Sequence, residues 1–172
     1  EPRPGLFDGS RVQKDHARCR AYGDVDELGA ALGVARAFVE DAEIRDFLQG
    51  LQRDLLALGA QLADPSYGTK PAKAKSVVGE DRIVEFERMM DRYDAELPPL
   101  KGFILRCGTK GASLLHLACT VCRRAERLID LPAGRHFAPG TEQNLPANGC
   151  MSRHRSVRCD GVYWFRLFPL RY

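Results

Sequence analysis

No apolar run in this sequence approaches the ~20 residues that a membrane span requires. The first residues, Glu1-Pro2-Arg3-Pro4-Gly5, lack the apolar core of a secretion signal. Both absences place the expected protein in the cytoplasm, with no membrane partner. Charge of one sign is also scarce: a formal net charge of +3 is too small for a nucleic-acid footprint. There is no internal repeat, and no strand-like alternation precedes residue 132. What remains is ordinary for a soluble domain, with 44% apolar and 28% charged residues in a chain of 172. That length fits a single domain over residues 1–172 and can bury a real core. Cys19, Cys107, Cys119, Cys122, Cys150 and Cys159 are expected to be reduced thiols in such a compartment. Basic charge gathers late, since residues 131–172 hold six arginines against two acids.

Helical periodicity fills the first three quarters of the chain. A first segment, about Asp24 to Asp41, aligns Val25, Leu28, Leu32, Ala35 and Phe38, and Asp24 with Glu27 has the form of a capping box. A second, about Ala42 to Ala63, carries the seam Ile44, Leu48, Leu51, Leu55, Leu58 and Leu62 and stops at Asp64-Pro65. In a third, about Glu80 to Leu97, Ile83, Phe86, Met90, Tyr93 and Leu97 align before Pro98-Pro99. The fourth, about Gly111 to Asp130, aligns Leu114, Leu117, Val121, Ala125 and Leu128 and stops at Leu131-Pro132. Four such stripes predict an all-α bundle. Pro65–Gly79, with Lys70, Lys73 and Lys75, reads as a surface loop. The tail from Pro132 has no period that assigns it.

The fourth segment carries the chemistry. Its apolar seam lies within about 40° of Val121, whereas His116, Thr120, Arg123 and Arg127 fall together about 200–260° away. Cys119 and Glu126 lie beside them, and Arg124 stands at the edge of the seam. Paired guanidiniums match phosphate oxygens two at a time, so the polar face suits a polyphosphate. Taken alone, the same spacing also describes a solvated face with weak ion pairs.

Three blocks then bear a resemblance. Thr120-Val121-Cys122-Arg123-Arg124-Ala125-Glu126-Arg127, preceded by Lys101-Gly102-Phe103-Ile104-Leu105, resembles the central signature of the PduO-type ATP:cob(I)alamin adenosyltransferases. Gly5-Leu6-Phe7-Asp8-Gly9-Ser10-Arg11-Val12-Gln13-Lys14-Asp15 is similar to that family's nucleotide loop. Ala21-Tyr22-Gly23-Asp24-Val25-Asp26-Glu27-Leu28 is similar to its first bundle helix. The resemblance covers about residues 5–130. It implies a five-helix bundle assembled as a homotrimer, with active sites between subunits. It also implies transfer of the adenosyl group of ATP to cob(I)alamin. By position, Lys14, Arg123, Arg124, Glu126 and Arg127 are implied to hold ATP, helped by Mg²⁺ on its phosphates. Phe103 is implied to pack under the corrin ring, and Asp26 to lie at the subunit interface. A reductase and an adenosylcobalamin-dependent enzyme are the implied working partners.

The chain departs from that pattern in four places. Pro4 stands where the family has a threonine, and the Thr-Arg-x-Gly-Asp-x-Gly-type stretch before it is absent. Cys119 replaces an arginine that pairs with the aspartate matched by Asp26. Arg106-Cys107-Gly108 replaces Pro-Gly-Gly. The tail lacks the Leu-Asn-Arg-Leu-Ser-Asp pattern of the fifth helix. These departures define the alternative, a non-catalytic or impaired paralogue that binds ATP or corrinoid; turnover with reduced corrinoid separates the two. Cys119 and Cys122, with His116 one turn earlier, also form part of a possible metal site. No second close ligand pair completes it.

Overall fold

A computed structural model describes residues 4–65, 80–97 and 105–129. Four helices follow one another: α1 (Ala17–Ala37), α2 (Ala42–Ala63), α3 (Glu80–Glu96) and α4 (Lys110–Ile129). No β-strand occurs among the described residues, and the architecture is the all-α one expected. The anticipated fifth helix, the lysine-bearing loop and Phe103 lie outside the described residues.

Three of the four helices run where periodicity places them. The exception is α1, which begins seven residues before the expected Asp24. Its start is set by His16, whose Nδ1 accepts the Arg18 backbone N–H at 3.2 Å. Asp24 and Glu27 therefore sit inside the helix and form no capping box. The end of α1 is also earlier: the chain leaves it at Phe38, and Asp41 instead caps α2, accepting the Ile44 N–H at 2.9 Å.

Helix α1 runs between α2 and α4. Val25, Leu28, Leu32 and Ala35 of α1 meet Leu48, Leu51 and Leu55 of α2 and Ala118, Val121, Cys122 and Ala125 of α4 in one core. Leu28, Leu32 and Leu48 are its largest fully buried side chains, each contributing on the order of 1.5–3 kcal/mol. Contacts along the helices fix their directions. Gln52 Nε2 donates to the Gly29 carbonyl at 2.9 Å, and α2 runs antiparallel to α1. Gly111, at the start of α4, abuts Phe38 at the end of α1, so these two are antiparallel as well. Helix α3 lies on α2 through the edge-to-face pair Phe47–Phe86, with centroids 5.5 Å apart. Ion pairs Arg82–Asp54 at 2.8 Å and Arg92–Glu43 at 2.6 Å flank it.

The buried face of α4 is turned from the seam that periodicity picks out. It is made of Gly111, Ala112, Leu115, His116, Ala118, Cys119, Val121, Cys122 and Ala125. Leu117 is 56% exposed, and His116, expected on the polar face, is 4% exposed. Small side chains account for the turn: glycine, alanine and cysteine let α4 approach α1 closely, and a stripe drawn through leucines misses them.

Candidate functional site

The antiparallel packing gathers the start of α1, the end of α2 and the end of α4 at one end of the bundle. The segment leading into α1 folds over that end. Leu6 donates its N–H to Ser10 O at 2.8 Å, and Val12 donates to Pro4 O at 3.1 Å. Between them Asp8 Oδ1 accepts both the Ser10 N–H, at 2.9 Å, and its hydroxyl, at 2.6 Å. These two bonds, the hydroxyl's first, hold the Asp8 carboxyl below the usual range. Gly9, at φ +84°, makes the reversal.

This loop is tied to the end of α2. Leu6 is buried, and the Phe7 N–H donates to Ala63 O at 3.2 Å. Arg18, in the first turn of α1, is 5% exposed. Its Nη1 donates to Leu62 O at 3.0 Å and Asp64 O at 3.4 Å. Those carbonyls belong to the helix C-terminus, where unsatisfied acceptors and the helix dipole favour a cation. Lys14 lies in the loop just ahead of this anchor, with its side chain exposed.

Helix α4 brings Arg123, Glu126 and Arg127 to the same end. Arg123 and Glu126 are half-buried and Arg127 is exposed. None of the three makes a hydrogen bond or ion pair with another described residue. Arg124 differs. Its Nε donates to Asp24 Oδ2 at 2.8 Å and its Nη2 to Glu27, both on α1. Glu27 first and Asp24 second raise its pKa above the ordinary guanidinium value. The expected ATP-holding residues of α4 thus divide into an engaged one, Arg124, and three unengaged ones. Asp26 is exposed on α1, whereas Cys119 is buried in α4.

His116 lies about two turns before Arg123 on α4 and is buried. Burial depresses its pKa first and the charge of Arg106 second, opposed by a hydrogen bond with the Cys107 backbone. No group of three His, Cys, Asp or Glu side chains among the described residues is placed to hold a metal ion. Cys150 and Cys159 lie outside those residues. Sequence reading missed Arg18 and the pairing role of Asp24 and Glu27. The signal available was their place in the block Ala17–Leu28, directly after the loop that resembles a nucleotide site.

Comparison with known proteins meets this geometry from outside. A family model described as cobalamin adenosyltransferase matches residues 3–136. A corrinoid adenosyltransferase of Citrobacter freundii is 41% identical over 124 residues, covering 72% of this chain and 69% of its own. One from Mycobacterium tuberculosis is 44% identical over 167 residues, covering 93% and 86%. That alignment must reach well into the tail, where no family pattern was legible. Among solved structures, a variant PduO-type ATP:corrinoid adenosyltransferase from Lactobacillus reuteri, complexed with cobalamin and ATP, superposes with a TM-score of 0.76 at 27% identity. It covers 95% of this chain and 82% of the other.

Proposed function

The chain belongs to the cobalamin adenosyltransferase family, and from that premise we propose that it transfers the 5′-deoxyadenosyl group of ATP to cob(I)alamin. The relatives are named for this activity, and the Lactobacillus reuteri neighbour holds both cobalamin and ATP. In the reaction the cobalt(I) electron pair forms a bond to C5′ as the C5′–O bond breaks, and triphosphate leaves with that bond's electrons. No proton need move at the reacting carbon. The work left to the chain is to align two substrates and to stabilise charge on the leaving group.

The observation that carries this reading is the unengaged set Arg123, Glu126 and Arg127 at the bundle end shared with the Lys14 loop. Lys14, Arg123 and Arg127 hold the phosphates, and Glu126 orients the arginines or meets the ribose. Mg²⁺ travels on the phosphate oxygens of ATP. The corrin-facing position falls, by family resemblance alone, to Phe103, which lies outside the described residues. Asp26 belongs to the interface of a homotrimer, which the exposed apolar residues Val34, Phe38 and Leu117 support. No described helix is long and apolar enough to cross a membrane, and the cytoplasm is the proposed compartment. There a reductase supplies cobalt(I) and an adenosylcobalamin-dependent enzyme takes the product.

The test is anaerobic turnover of chemically reduced cob(I)alamin with Mg·ATP, followed by the absorbance change as adenosylcobalamin forms. Arg123→Ala is expected to cut the rate at least about a hundredfold, as loss of one charge-stabilising donor does elsewhere. A folded, trimeric wild-type sample that shows no turnover overturns the catalytic reading and leaves a binding protein.

A further inference from the structure

Resting on the function just proposed, we infer that Arg124 serves the reaction as a positioning residue and not as a ligand of ATP, by pinning α4 to α1 through Asp24 and Glu27. Residue type alone does not separate the three arginines of 123–127, since each guanidinium suits a phosphate. Geometry does. Arg124 spends its Nε on Asp24 at 2.8 Å and its Nη2 on Glu27, two carboxylates one turn apart on α1. A triphosphate would have to displace both and enter beside two negative charges. Arg123 and Arg127 make no such bond among the described residues.

The pin matters because of what lies between these helices. The α4 residues buried in the core are Leu115, Ala118, Val121, Cys122 and Ala125, three of the five being alanine or cysteine. Side chains this short interlock shallowly, and they resist sliding or rotation less than interleaved leucines would. A guanidinium held by two carboxylates is directional and restores one register. Arg123 precedes the pin by one residue and Arg127 follows it by less than a turn. Any slip of α4 along α1 therefore displaces both arginines from the phosphates.

Calorimetric titration of Mg·ATP decides between the roles, using Arg124→Gln, the pair Asp24→Asn with Glu27→Gln, and the three changes together. A positioning role predicts that the first two samples each bind about fivefold more weakly than wild type. The combined sample should be no weaker than either. Arg124→Lys, which keeps a charge for one carboxylate, should recover part of the loss. A ligand role predicts the opposite sign for the carboxylate pair, because neutralising Asp24 and Glu27 frees Arg124 and tightens binding. That result, or additive losses, overturns the inference. A loss of thermal stability with unchanged ATP affinity overturns it too. Wild-type protein that binds no Mg·ATP overturns the functional reading itself, and the inference with it.

Discussion

A guanidinium that is 5% exposed needs acceptors, and Arg18 finds them in the carbonyls of Leu62 and Asp64. Burial is the main effect on its pKa, pulling it down, while Asp64 and then Asp8 oppose the shift. Replacing it with methionine fills the space but strands those carbonyls. We expect Arg18→Met to lower the unfolding free energy by about 2–3 kcal/mol, read from urea titration. It should also weaken ATP binding, since the Lys14 loop shares the anchor. His116 supplies a pH test. Its folded pKa lies below the unfolded value of about 6.5, so its neutral form stabilises the fold above that pH. The contribution is lost as pH falls through the folded value. The thermal midpoint of wild type should therefore drop more steeply than that of His116→Gln on acidification from pH 7 toward 5; parallel curves would discount the buried imidazole. Neither Arg18 nor His116 was legible as buried. Both are polar types expected at the surface, and the Arg18 partner Leu62 lies 44 residues away. Arg123, Glu126 and Arg127 were legible because surface residues on a helix follow its period without help from a partner.

Close approach between elements makes a sharper set of expectations. A Cβ at position 111 would stand 2.9 Å from the Phe38 carbonyl oxygen, which is backbone and has little room to yield. At position 33 the nearest atom, also at 2.9 Å, is the amide end of Gln52, a side chain that can swing away. Gly111→Ala should thus destabilise by about 1–3 kcal/mol. Gly33→Ala should sit near neutral, its gain in helix propensity of about 1 kcal/mol offset by loss of the Gln52–Gly29 bond. Thermal melts of the two variants check the contrast. The extent of α2 was legible because a regular leucine seam runs its length and Asp64-Pro65 stops it, whereas its cap, Asp41, was assigned to the end of the preceding helix. The start of α1 was not, because a histidine cap carries a weaker sequence signal than Asp24 with Glu27, which turned out to pair with Arg124. The rotation of α4 was hidden for a different reason. Its contact face is built from alanine and cysteine, which carry little weight in a hydrophobic stripe but allow the closest packing.

At the scale of the molecule, the seam that sequence reading assigned to the interior of α4 has a second meaning. Leu117 stands about two turns along α4 from Arg124, and Val34 about two turns along α1 from Glu27. Because the helices are antiparallel, the Arg124 ion pairs put Leu117 and Val34 at similar heights on the same face of the α1–α4 pair. Phe38 follows them toward Gly111. All three are more than half exposed, in a strip that continues from a charged end into an apolar one. An apolar strip of this kind on a bundle is costly to leave in water and marks a surface for association. The same strip explains why the leucine period of α4 was legible but its direction was not: periodicity reports which residues avoid water and is silent on whether their cover is the same chain or another copy. The homotrimer proposed for this family member supplies that cover. Light scattering on the full chain should give three subunits, and Leu117→Arg should give one, with unchanged helicity by circular dichroism, because the substituted side chain already points outward. Turnover should fall with the assembly, since the proposed active sites lie between subunits. A Leu117→Arg protein that remains trimeric would place the interface on another face and leave Val34, Phe38 and Leu117 without a role in it.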